Sequence, residues 1–258
     1  MFKPYLTTCV ALALLPCGAF AASLPYIEDF DDGTDVFVKT TPAAGSWQYT
    51  GTGDLALSYA VSLGGTNSSS ATAEFPALGG SSNLGFTMQT DFTVGGDDPS
   101  ISNFLFAGFM VLGNVNNPDF FGYLPEVRFD TGEVRIREIR DGAGVNAIAS
   151  QTFGALQFGQ TYTATLVGEY GTDGPGGSDS LALTYTISGG NLAMPLQVSG
   201  VDDDGTLQTG SHFGLRNRFS NLDVSIDYDD FSLTAVPEPA SAGLLMLGLA
   251  AFTRRRRA

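Results

Sequence analysis

Residues 120–140 read FFGYLPEVRFDTGEVRIREIR, and the fold follows from how this stretch alternates. Val134 and Ile136 fall on one side of an extended chain, and Arg135 and Arg137 on the other. That period of two is the mark of a strand with one covered and one wet face. Asp130-Thr131-Gly132 interrupts the stretch with a hairpin turn signal, so residues 120–129 and 133–140 are predicted to pair antiparallel.

The same pattern continues on both sides. Residues 104–112 are continuously apolar, as suits a strand covered on both faces. In residues 83–94, Leu84, Phe86 and Met88 alternate with small or polar neighbours. Residues 55–61, 212–218 and 224–233 read as further strands, and 161–170 with 180–187 as a hairpin around a Gly-rich loop. Helical periodicity is almost absent between residues 22 and 235. The spacing of strands and turns predicts an all-β fold, a sandwich of two antiparallel sheets. Residues 67–69 fall in a Gly/Ser-rich stretch expected to be a loop, and Asp202-Asp203-Asp204-Gly205 reads as a turn. Residues 171–181 loosely suggest a calcium-binding nonapeptide repeat. A single copy cannot stack, so a loop is expected there.

The chain ends have different chemistry. Lys3, the apolar residues 10–15 and Ala19-Phe20-Ala21 make a secretory signal helix with cleavage after Ala21, the small residues Ala19 and Ala21 at −3 and −1. Cys17 behind Pro16 leaves a lipoprotein alternative open, although lipoprotein processing normally takes a small residue there. Cys9 and Cys17 both lie within residues 1–21. The body, residues 22–235, therefore has no disulfide, thiolate metal site or cysteine nucleophile. It is long enough for one sizeable core.

Charge sharpens the reading. Lys3 and four arginines leave with the ends, and Glu238 with the tail. The body keeps seven basic and 26 acidic residues, a net charge near −19. Such a surface repels nucleic acid and anionic lipid and suits display outside the cell.

Residues 236–258 read VPEPASAGLLMLGLAAFTRRRRA. A Pro-rich break precedes a short apolar helix of 13 residues, 240–252, below the roughly 20 that span a bilayer. Arg254, Arg255, Arg256 and Arg257 follow and favour the cytoplasmic side. The tail would thus hold an exported body transiently at the inner membrane. These residues, with Val236-Pro237-Glu238-Pro239, resemble the PEP-CTERM sorting signal, departing from it in carrying Ala240-Ser241 for the commoner Ser-Thr. The resemblance implies processing by an exosortase in an exopolysaccharide-producing Gram-negative bacterium, with the product at the cell surface or in the extracellular matrix. A plain tail anchor without processing is the alternative.

The body opens with Glu28-Asp29-Phe30-Asp31-Asp32-Gly33 and closes with Asp227-Tyr228-Asp229-Asp230-Phe231-Ser232-Leu233. With Phe158-Gly159-Gln160-Thr161-Tyr162 leading into Leu183-Thr184-Tyr185-Thr186-Ile187, it resembles concanavalin-like and carbohydrate-binding-module jelly rolls. The resemblance implies adjacent first and last strands. It also implies a structural calcium at Asp31 and Asp230, with Asp29 and Asp229 as neighbours. Calcium wants six to eight oxygens, and a solvated acidic surface is the alternative.

Catalytic chemistry finds little support. Glu126, Asp130, Glu133 and Glu138 lie where related glucanases carry their acids, but the Glu-x-Asp-x-x-Glu pattern is absent. A solvated charged strand accounts for them. His212 is the only histidine, and no Gly-x-Ser-x-Gly elbow accompanies it. Trp47, the only tryptophan, suits the core or a sugar-stacking platform. No phosphate-binding loop or dinucleotide fingerprint is present. The resemblances together imply a non-enzymatic exported surface or matrix protein, with polysaccharide as candidate ligand. A divergent glycosidase or lyase is the alternative, and Glu126 and Glu138 reaching across one groove would be its sign.

Overall fold

Residues 120–140 form the predicted hairpin. In the computed structural model, β8 (Phe121–Arg128) and β9 (Glu133–Arg140) pair antiparallel, Arg128 opposite Glu133. Gly132, at φ +63°, closes the turn, a left-handed conformation that glycine takes without strain. The structure describes residues 24–41, 45–50, 53–59, 66–79, 83–96, 104–114, 121–140, 143–171, 180–203, 210–220 and 223–237. The signal segment, Glu238 and the rest of the tail lie outside these residues.

The other strands are β1 (Tyr26–Glu28), β2 (Val38–Thr40), β3 (Gly45–Tyr49), β4 (Leu55–Tyr59), β5 (Thr66–Glu74), β6 (Asn83–Gly96) and β7 (Leu105–Asn114). Beyond the hairpin come β10 (Ala143–Thr152), β11 (Thr161–Tyr170), β12 (Leu181–Gly189), β13 (Leu196–Asp202), β14 (His212–Ser220) and β15 (Val224–Pro237). An eight-stranded sheet runs β13-β12-β11-β6-β15-β4-β3, with β1 also on β15. A seven-stranded sheet runs β10-β9-β8-β7-β14-β5-β2. All pairings given for these strands are antiparallel. One short 3₁₀ turn, Pro76–Gly79, is the only helical element among the described residues. No helix among them is long and apolar enough to cross a membrane.

The core is the space between the sheets, and strand alternation builds it. Tyr162, Ala164 and Leu166 of β11 and Leu181, Leu183, Tyr185 and Ile187 of β12 face Val134 and Ile136 of β9 and Phe213, Leu215 and Phe219 of β14, all buried. Each large apolar side chain so covered contributes roughly 1.5–3 kcal/mol. Phe129 meets Phe92 and Tyr162 edge-on at 6.0 Å, and Phe92 and Tyr162 lie tilted to each other at 5.9 Å, with the edge-on pairs a favoured aromatic arrangement. The first and last strands lie together, with Tyr26 opposite Leu233 and Glu28 opposite Phe231.

Two expectations are corrected. Residues 67–69 are not a loop: they belong to β5, which lies between β14 and β2. Its small residues lie in register with Phe213, Leu215 and Phe219 of β14, and Ala71 and Ala73 turn into the core. Asp202 is not part of an open turn. It is the last residue of β13, is buried, and accepts a hydrogen bond from the Tyr123 hydroxyl of the opposite sheet.

Candidate functional site

The outer face of the seven-stranded sheet gathers most of the body's positive charge. Leu105, Ala107, Phe109 and Val111 of β7 enter the core, so Phe106, Gly108 and Met110 face outward. On β8, Tyr123 and Val127 turn in, and Leu124, Glu126 and Arg128 turn out. On β9 the outward set is Arg135, Arg137 and Ile139, and on β14 it includes Arg216 and Arg218. Register places Arg216, Gly108, Glu126 and Arg135 in one cross-strand row. Arg218, Phe106, Arg128 and Glu133 form the next.

This face is recessed. Met110, Leu124 and Ile139 form a small apolar cluster of their own on it, each no more than 3% exposed. Glu126, only 4% exposed, is the electrostatic centre. Its Oε1 accepts from Arg135 Nε at 2.8 Å and Nη2 at 2.6 Å, and Arg137 Nε stands 3.1 Å from the same oxygen. Arg135 also lies over the Phe106 ring, 4.0 Å from its centroid. Arg128 forks onto Asp130 at 2.6 and 2.7 Å, which raises its pKa. Arg218 covers Phe104 at 5.2 Å and has no carboxylate within ion-pair reach among the described residues. Burial pushes Arg216 down to about 10; Glu126 opposes that shift, while Arg137 and Arg218 add to it. Burial likewise lowers Arg137. Five guanidinium groups thus share one partly desolvated surface with Glu126, Glu133 and Asp130. Such a surface binds anions by charge-assisted, forked hydrogen bonds.

The sequence singled out some of these residues for another purpose. Glu126 and Glu138, weighed as a catalytic pair, project to opposite faces: Glu126 outward, Glu138 inward beside Val134 and Ile136 in the alternation. Glu138 is also not on a solvated strand face, being 9% exposed, because the inner face of β9 is covered by the other sheet. It adds, after burial and Asp202, to the upward shift of the Tyr123 hydroxyl. Glu133 bonds Ser150 on β10 and approaches Arg135. His212 opens β14 at a partly buried position. Trp47 lies on the edge strand β3, packs part-buried against the core near Tyr228, and donates through Nε1 to Thr40 O; that makes it a packing residue.

Asp31 and Asp230, the expected calcium positions, are both exposed. The Asp31 carboxylate lies over Gly53 in the β3–β4 turn. Asp29 and Asp229 accept from the backbone N–H groups of Asp31 and Asp230. Among the described residues no three His, Cys, Asp or Glu side chains gather where they could hold a metal ion. The donor set found there falls short of a calcium shell.

Sequence alternation does not assemble this arginine face, because it assigns Arg135 and Arg137 only to the outer side of their own strand. A signal was present: apart from Lys39, all the body's basic residues fall in residues 128–140 and 216–218, and register joins these segments through β7.

Comparison with known proteins bears on both the tail and the fold. The PEP-CTERM protein-sorting motif matches residues 235–257, a span that includes Val236-Pro237-Glu238-Pro239 and the four arginines. That motif marks an exported protein. No curated protein matches. Among solved structures, a Bacillus subtilis protein of unknown function with a galectin-like fold is 12% identical, covers 83% of this chain and 96% of its own, and has a TM-score of 0.52. Lectin II from Ulex europaeus is 10% identical over 82% of this chain and 98% of its own, at 0.53. The winged bean acidic lectin, complexed with methyl-α-D-galactose, is 12% identical over 83% and 99%, at 0.50. The body therefore has a lectin-like jelly-roll fold.

Proposed function

We propose that this chain is a non-enzymatic, sugar-binding protein exported from a Gram-negative cell and sorted by an exosortase to the surface or extracellular matrix. The observation that carries the reading is the joining of a sorting motif at residues 235–257 to a lectin-like sandwich. Fold likeness alone does not specify a ligand, but the winged bean lectin is described with a bound galactoside. The recessed arginine face of this chain adds forked donors beside aromatic rings, a combination suited to polar polymers. In this reading the signal segment is removed after Ala21, and the inner membrane holds the tail only until processing. The enzymatic alternative is disfavoured by Glu126 and Glu138 facing opposite ways, since glycoside hydrolysis needs two carboxyls flanking one bond.

Intact-mass analysis of the protein from the native host's membrane and extracellular fractions tests the sorting half. A mass lacking residues 1–21 and everything beyond the Pro-Glu-Pro region is expected. A mass that keeps the arginine tail, found only in the inner membrane, overturns it. Co-sedimentation with the host's isolated exopolysaccharide tests the binding half, and absence of binding to every matrix fraction overturns that.

A further inference from the structure

Resting on the sugar-binding reading, and going beyond it to the ligand class, the clustered guanidinium groups call for an anionic partner. The body carries 26 acidic and seven basic residues, yet Arg128, Arg135, Arg137, Arg216 and Arg218 converge on one sheet face. Like charges so placed repel, and their burial depresses the pKa of Arg137 and Arg216. Glu126 satisfies Arg135 and offsets Arg137, and Asp130 occupies Arg128. These contacts show that carboxylates fit the guanidinium groups of this face. Arg218 has no such partner among the described residues and lies over the part-buried Phe104.

We propose that the outer face of the seven-stranded sheet binds a carboxylate-bearing polysaccharide, a polyuronate, with Arg218 taking a uronate carboxylate and Phe104 the apolar side of a sugar ring. Arg216 and Arg218, two positions apart on β14, stand roughly 6.6 Å apart along the strand. A polymer with repeated carboxylates engages more than one of them, and a single small anion does not. The acidic remainder of the body does not prevent this, since charges beyond about 8 Å are largely screened at physiological ionic strength.

The test uses the full chain, purified in mild detergent, with polygalacturonate and neutral dextran as probes at physiological salt. Polygalacturonate is expected to bind and dextran not. Arg218→Gln should weaken binding about tenfold, as loss of one charge-assisted contact would. Arg218→Lys, which keeps the charge and loses the fork, should fall between the two, and it supplies the readout if Arg218→Gln does not fold. Lys39→Ser, a basic residue away from this face, should bind as the wild type. Dextran bound in preference to polygalacturonate overturns the proposal and leaves the sugar-binding reading standing; no binding to either, or to the host's own polysaccharide, removes both. Equal binding by the Arg218 variants overturns it. So does a preference for single-stranded DNA, or a dimer that Arg218→Gln dissociates, which would make a second copy's acidic surface the occupant.

Discussion

Replacing Glu126 by glutamine keeps its shape and removes its charge from beside the Arg135 and Arg137 guanidinium groups. In the wild type, Oε1 accepts two hydrogen bonds from Arg135 and lies 3.1 Å from Arg137 Nε. The side chain is buried, so the interaction is not weakened by water as a surface pair is. Breaking one partner of a buried pair costs about 3–5 kcal/mol, because the other charge stays desolvated. At roughly 2–4 °C per kcal/mol for a domain of this size, the melting temperature should fall by about 6–20 °C. Differential scanning calorimetry at neutral pH measures it. The drop should persist in about 1 M salt, where surface pairs are screened to a few ångströms. The double variant Glu126→Gln, Arg135→Gln should recover part of the loss, since the uncompensated charge goes too. A Glu126→Gln melting temperature within about 2 °C of wild type would refute the view that this carboxylate holds the arginine face together.

Three further outcomes follow from local geometry. At Gly132 a Cβ would meet Gly154 O at 1.7 Å, and φ is +63°, so Gly132→Val should cost several kcal/mol and yield protease-sensitive protein; wild-type resistance to limited proteolysis counts against the turn as described. Tyr228 donates to Asn217 Oδ1 in the core, whereas the Tyr185 hydroxyl has no partner among the described residues. Tyr228→Phe should therefore destabilise by about 1–3 kcal/mol and Tyr185→Phe should be neutral or stabilising, compared by denaturant midpoint; the reverse order contradicts the assignment. Burial, then Asp230, Asp54 and Asp91, raises the pKa of Asp229. An acid with a raised folded pKa costs stability above that value and ceases to as pH falls through it towards the ordinary 3.8. Asp229→Asn should thus raise the melting temperature at pH 7, with the gain fading as the pH approaches 3.8; a gain that grows on acidification contradicts the sign.

What could be read from the sequence was what alternation controls. The hairpin at 120–140, the doubly covered β7, and the β11–β12 pair each show their burial in residue order, because a strand's two faces differ chemically. β5, β10 and β13 did not. Thr66–Glu74 is built of Ser, Thr, Asn and Ala with one Glu, and its place in the sheet comes from ladder bonds and from aromatic neighbours far away in sequence. Single-sequence periodicity carries no record of such neighbours. The same limit hid the site. Arg135 and Arg218 are each ordinary outward residues in their own strands, and only β7 between β8 and β14 makes them one surface. Glu138 shows the converse: residue type points to solvent, whereas its parity with Val134 and Ile136 places it inside.

The tail and the arginine face belong to different layers of the sandwich, and this bears on how a tethered protein could bind. β15 continues through Val236, opposite Gly85, to Pro237, opposite Asn83, so Ala235, Val236 and Pro237, the first three residues of the motif match, are part of a strand of the eight-stranded sheet. The tail therefore leaves from that sheet, whereas the guanidinium groups point outward from the seven-stranded one. β15, from which the tail continues, pairs most extensively with β6 of the same sheet, and the β7–β8–β9–β14 rows belong to the other sheet. The proposed attachment and the proposed ligand binding then use different sheets: removal of the tail should alter where the protein is found, and its affinity for a polymer on the arginine face should stay the same.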